Sequence, residues 1–230
     1  MIQITLSDEI LTACPDLHVL AIACPVKNSE SDVRLWKEIA QEEENVRQTM
    51  KLEEVNKWFP IQATRQAYKR LGKDPNRYRP SAEALRRRIL RGLPLYRIDT
   101  LVDLINLISI RSGYSIGGFD AGKIQGGQLV LGVGKEGELY HGIGRGELNI
   151  EGLPVYRDAI GGIGTPTSDE ERTKIGLDTT SLLMIINGYS GREGLVEAGR
   201  YAAECLRKYN EVSAIEAKMI TRNQAISIII

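Results

Sequence analysis

A strongly apolar stretch, YRIDTLVDLINLISIRSG (residues 96–113), carries Asp99, Asp103 and Asn106 at spacings of four and three. On a helix, that spacing stacks the three side chains on one face. Carboxylates on a helix this apolar lie out of water and need partners. One reading makes the face the wall of a pocket that binds an amine or a hydroxyl. The other has Asp99 cap the helix while Asp103 and Asn106 bond nearby loop amides.

Two loops offer further groups: SIGGFDAGKIQGG (115–127) and GGIGTPTSDEERT (161–173). Glycine lets backbone amides approach a ligand closely. Gly117, Gly118, Thr165, Thr167 and Ser168 are therefore candidates for a pocket rim, the last three adding hydroxyls. Turn geometry alone also explains the glycines. Asp169, Glu170 and Glu171 beside Arg172 read as a solvated ion-pair cluster.

Gly132-Val-Gly-Lys-Glu-Gly137 spells the letters of a dinucleotide-binding fingerprint. That motif works only between a strand and a helix, whose N-terminus then faces a pyrophosphate. Gln128–Leu131 reads as the strand, but residues 138–144 show no period of 3.6. A hairpin with Lys135-Glu-Gly137 as its turn fits better. No nucleotide cofactor is expected.

Formal net charge is zero, yet residues 65–97 hold eleven Lys/Arg against only Asp74 and Glu83. Within that run, Arg86, Arg87, Arg88 and Arg91 are candidates for contacts with nucleic-acid phosphates. A solvated helix face is the alternative. Three cysteines without CxxC spacing and two histidines give no metal-ligand pattern, so no metal is expected. Any histidine-based triad would have to use His18 or His141. The first residues lack a signal-peptide pattern, and no apolar run is long enough to span a bilayer. A cytoplasmic protein with no membrane partner is the expectation.

These residues need elements to hold them. Residues 2–6 and 17–26 read as strands, the second too apolar to be exposed. Residues 29–50 read as a helix with Val33, Trp36, Ile39, Val46 and Met50 on one side. Further helices are expected at 62–72, from Ser81 as N-cap with Ala82, Leu85 and Ile89 inward, and at 99–111. Strands and glycine turns fill 114–188, followed by a helix at 192–208 and a strand at 225–230. The order implies an α+β fold with a central antiparallel or mixed sheet and flanking helices.

Together, TRQAYKRLGKDPNRYRPSAEALRRRILRGLPLYRIDTLVDLINLISIRSGYSIGGFD and GGIGTPTSDEERTKIGLDTTSLLMIINGYS resemble the B3/B4 domain of the phenylalanyl-tRNA synthetase beta subunit. They are closer still to its stand-alone relatives. The resemblance covers about residues 60–210, within one B3/B4-type domain spanning 1–230 whose first 60 residues are strands and a helix. It implies a tRNA or aminoacyl-tRNA partner and hydrolysis of wrongly attached tyrosine, with Asn106 facing the pocket. It places the family's pocket histidine at Gly117 and its threonine at Ile105, and looks for a glutamate in SLLMIING, which has no acid. Three of four recognisable pocket positions differ, so tyrosine selectivity is not carried over. No other synthetase module is recognisable, and aminoacylation by this chain is not expected.

The function this implies is trans-editing of mischarged aminoacyl-tRNA, with loop amides holding the carbonyl oxygen while water attacks. A non-catalytic module gripping tRNA or an amino acid is the alternative. A hydrolase using Ser115, Thr165 or Ser168 ranks last, for want of a histidine partner.

Overall fold

The computed structural model describes residues 1–222 and 224–230. Its first half runs β1 (Gln3–Leu6), α1 (Asp8–Ala13), β2 (His18–Pro25), α2 (Val33–Thr49), α3 (Phe59–Arg70), α4 (Ser81–Leu90), α5 (Thr100–Ser112) and β3 (Ile116–Asp120). The second half runs β4 (Gln128–Val133), β5 (His141–Gly142), β6 (Gly146–Glu147), β7 (Pro154–Arg157), β8 (Gly162–Gly164), β9 (Ser181–Gly188), α6 (Leu195–Asn210), β10 (Glu216–Ile220) and β11 (Ala225–Ser227).

Burial on both faces decides the layering. Strands β2 and β9 are almost continuously apolar, and they lie side by side within an antiparallel sheet of order β11-β10-β2-β9-β3. Successive side chains point to opposite faces. Leu20, Ile22, Met184 and Ile186 pack with Leu104, Ile108, Ala202 and Leu206 of the helices. Val19, Ala21, Leu183 and Ile185 meet Leu129, Leu131, Tyr156 and Ile163 of a second, mixed sheet of order β1-β4-β7-β8. The result is helices, sheet and sheet in three layers, an α+β fold. Among the described residues, no helix is long and apolar enough to cross a membrane.

Several local expectations need correction. Ser81 is the first helical residue rather than the cap; Pro80 occupies the cap position, and the Ser81 amide donates to the Pro166 carbonyl. Val33 opens α2 at 67% exposure, leaving Leu35, Ile39 and Val46 as the buried side. The short α1 was not foreseen; Ser7 caps it by accepting from the Ile10 amide. The last strand covers only Ala225–Ser227.

The fingerprint glycines do form a turn, with Gly137 at φ +69° and the Glu138 amide donating to the Lys135 carbonyl. No helix begins at Glu138, so the fingerprint's second half is missing. The expected hairpin is also missing. Strand β4 pairs with β1 and β7, while β5 pairs with β6. The cause is Gly134, whose backbone exchanges hydrogen bonds with Gly152 and Leu153. There the chain crosses so closely that a Cβ on Gly134 would lie 1.9 Å from the Ile150 carbonyl oxygen. Gly134→Ala should therefore destabilise by about 1–3 kcal/mol in urea unfolding. Gly161→Ala, where nothing lies within 4 Å, should change stability by less than about 0.5 kcal/mol. Equal values would contradict this packing.

Candidate functional site

The three polar residues of the α5 region do three different jobs. Asp99 is the N-cap, its Oδ1 accepting from the Val102 amide at 2.9 Å. Asp103 borders neither of the two cavities that meet at Asn106. Its Oδ2 accepts from Ser31 Oγ at 2.5 Å and Trp36 Nε1 at 2.6 Å, and its Oδ1 accepts from the Ile98 amide at 3.1 Å. Buried and so bonded, Asp103 ties α2 and the 91–98 loop to α5; the pocket-wall role is corrected to a positioning one. Asn106 is half-buried, and no hydrogen bond engages its carboxamide among the described residues.

Asn106 borders two cavities at once. The inner one, about 370 Å³, is walled by Leu85, Ile98, Val102, Ile105, Ile116, Ile143 and Ile175. The outer one, about 460 Å³, is walled by Arg79, Arg87, Arg88, Arg91 and Arg145 with Leu93 and Tyr96. Ser81, Leu85, Asn106 and Ile143 line both, forming the neck between an aliphatic chamber and an arginine-rich mouth.

Only part of the expected basic run faces that mouth. Arg86 is buried, stacked 3.7 Å above the Trp58 ring, with its Nε donating to the Ile110 carbonyl. It leaves the phosphate-facing set because it lies on the Ala82–Ile89 stripe, which packs inward. Arg87 is pinned to the buried Glu83, which also accepts from Arg65. Arg88 and Arg91 line the mouth, joined by Arg79 from the same basic run and by Arg145, which lies outside it.

The glycine loops build the chamber in an unexpected way. A Cβ on Gly117 would lie 2.7 Å from the Phe119 ring, and one on Gly118 would lie 2.4 Å from Ile105. No larger side chain fits at Gly117 with these neighbours in place, so a histidine there is excluded by packing. Gly118 borders the chamber and Gly117 does not. Thr165 Oγ1 accepts from the Thr167 and Ser168 amides, and Thr167 Oγ1 bonds the Tyr68 hydroxyl. Thr165 borders neither cavity, while Thr167 and Ser168 reach the mouth. The Gly118 amide donates to Asp169 Oδ2 at 3.0 Å. These amides are already engaged, so the loops do not offer them to a ligand carbonyl.

Asp169 is the residue that sequence reasoning missed. The acidic cluster splits: Arg172 pairs with Asp158, and Lys174 with Glu171. Asp169 instead turns into the chamber. Its Oδ1 lies where a Cβ on Gly164 would come within 2.9 Å, so that glycine also makes room for the carboxyl. Burial pushes its pKa up to about 7, against the opposing pull of the Gly118 amide. The contact that holds the carboxyl inward is the Gly118 amide, which lies 51 residues away in sequence and gives no local signal.

The family model described as the B3/4 domain matches residues 63–211. Among solved structures, the chain is similar to an N-terminal fragment of the phenylalanyl-tRNA synthetase beta-subunit from Pyrococcus horikoshii. The TM-score is 0.53 at 14% identity, a likeness of fold. The match covers 98% of this chain and 53% of that one, so this chain spans about half of that fragment. No curated protein matches the sequence.

The Asp169 carboxyl generates a stability prediction. Its folded pKa is raised, so the folded state binds more protons than the unfolded chain between the ordinary carboxylate range and about pH 7. The stabilisation it gives is present in acid and lost as pH rises through about 7. Between pH 5 and pH 8, the wild type should lose about 1–3 kcal/mol more stability than Asp169→Asn, measured by urea unfolding. Identical losses would show that the carboxyl is solvated.

Proposed function

The chain belongs to the B3/4 domain family, and from that premise we propose that its cavity takes the aminoacylated 3′ end of a tRNA and hydrolyses the ester in trans. The observation that carries this reading is the pairing of an aliphatic chamber with an arginine mouth through the Asn106 neck. Arginine attracts phosphate regardless of sequence. The chamber lies near the lower end of small-molecule pockets, which run from roughly 300 to 1,000 Å³. It suits an amino-acid side chain rather than a nucleotide, and its walls favour an apolar one.

The chemistry follows from two side chains. Asn106 Nδ2 donates to the acyl carbonyl oxygen as negative charge develops there. Asp169, when ionised, takes a proton from water as the water oxygen bonds to the carbonyl carbon. The ester C–O bond then breaks, and the proton passes to the departing ribose oxygen. A pKa near 7 suits a base working at neutral pH. Lys174, the other ionisable group at the chamber, is occupied by Glu171. The second reading, a non-catalytic binding module, is favoured by the engaged amides of Gly118, Thr167 and Ser168, which are withdrawn from an oxyanion.

The experiment is deacylation of a panel of mischarged tRNAs. Esters of apolar amino acids should be hydrolysed, with a rate that rises with pH through about 7. Asn106→Ala should slow the reaction by the equivalent of about 1–3 kcal/mol with folding intact. Asp169→Asn should abolish the pH-dependent rise. Binding of the same tRNAs without hydrolysis of any ester would replace the deacylase with the binding module.

A further inference from the structure

The rim of the mouth carries an aromatic side chain that a phosphate-binding surface does not require. Tyr96 is 67% exposed, in a loop between α4 and α5 that has no regular secondary structure. The Arg88 guanidinium lies 4.2 Å from the centroid of its ring. Arg88 is itself fixed, because its Nε donates to the Pro94 carbonyl at 2.5 Å. The loop is anchored at both ends. The Leu93 amide donates to the Arg88 carbonyl, and the Ile98 amide donates to Asp103. Leu95, between them, packs into the core. An exposed ring on a tethered loop, with one face over a guanidinium, has its other face available at low entropic cost.

We propose that Tyr96, backed by Arg88, is a stacking platform for an unpaired base, so that the nucleic acid entering this mouth does so as a single strand. This rests on the reading of the cavity as a site for the tRNA end, and adds to it the form in which that end is recognised. Aromatic rings and arginine planes interleaved with positive charge are the chemistry of single-strand binding, because every base has a π-face. A duplex keeps its bases stacked on one another and offers the ring nothing. Charge complementarity fits the same occupant: among the described residues, Arg79, Arg88, Arg91 and Arg145 have no carboxylate at ion-pair distance, and all four line the mouth beside Tyr96.

The test is fluorescence titration of the full chain with a short single-stranded RNA carrying 2-aminopurine near its 3′ end, and with a blunt duplex of the same sequence. The wild type should quench the single strand and bind it more tightly than the duplex. Tyr96→Ala should weaken binding about 10-fold and abolish quenching, while leaving the salt dependence of binding unchanged. Tyr96→Phe should behave as wild type. Arg91→Ala should do the reverse, reducing the log–log salt slope by about 1 and retaining the quench. Salt-dependent binding that ignores Tyr96→Ala, or that is equal for strand and duplex, overturns the platform and leaves the tRNA reading standing. A wild type that binds neither RNA overturns both.

Discussion

One carboxylate holds the site together. Asp103 is buried and accepts hydrogen bonds from Ser31 and Trp36 at the start of α2 and from the Ile98 amide in the loop before α5. A buried charge left unpaired is costly, and each bond to a charged acceptor contributes about 1.5–3 kcal/mol. This geometry therefore fixes α5 against α2 and sets the loop carrying Tyr96 and Ile98. The chamber's Ile98 wall and the mouth's Tyr96 rim both descend from that anchor. A residue that touches no ligand thereby decides where ligand groups stand.

The second constraint is the absence of side chains. Gly117, Gly118 and Gly164 leave volume that Phe119, Ile105 and the Asp169 carboxyl fill. The Phe119 ring takes the space beside Gly117, and the Asp169 carboxyl takes the space beside Gly164. Burial of the Asp169 carboxyl in a mostly aliphatic chamber is what pushes its pKa up to about 7.

The fold class was readable because β2 and β9 are apolar on both faces and α5 is apolar nearly all round, patterns that only interior elements carry. The spacing along α5 named Asp103 and Asn106 alike, and only the hydrogen bonds to Asp103 separate the two. Arg86 was placed on the phosphate side although it falls on the buried side with Ala82 and Ile89. Asp169 was not readable. Its neighbours Glu170, Glu171 and Arg172 advertise a solvated cluster, and the tether on its carboxyl is the Gly118 amide from a distant strand. Arg145 was equally hidden, because it reaches the mouth through the β5–β6 hairpin, docked by the Ile143 amide on the Asp169 carbonyl. Local pattern reports burial along an element; it does not report which distant segments converge.

The central claim is that an aminoacyl group enters the aliphatic chamber beneath the arginine mouth. The most direct measurement is methyl NMR of isoleucine-labelled protein titrated with a non-hydrolysable 3′-aminoacyl-adenosine analogue bearing an apolar side chain. The δ1 methyls of Ile98, Ile105, Ile116, Ile143 and Ile175, which line the chamber, should shift together and saturably. Shifts confined instead to Ile215, Ile228, Ile229 and Ile230, which line a separate groove near the chain termini, would contradict it.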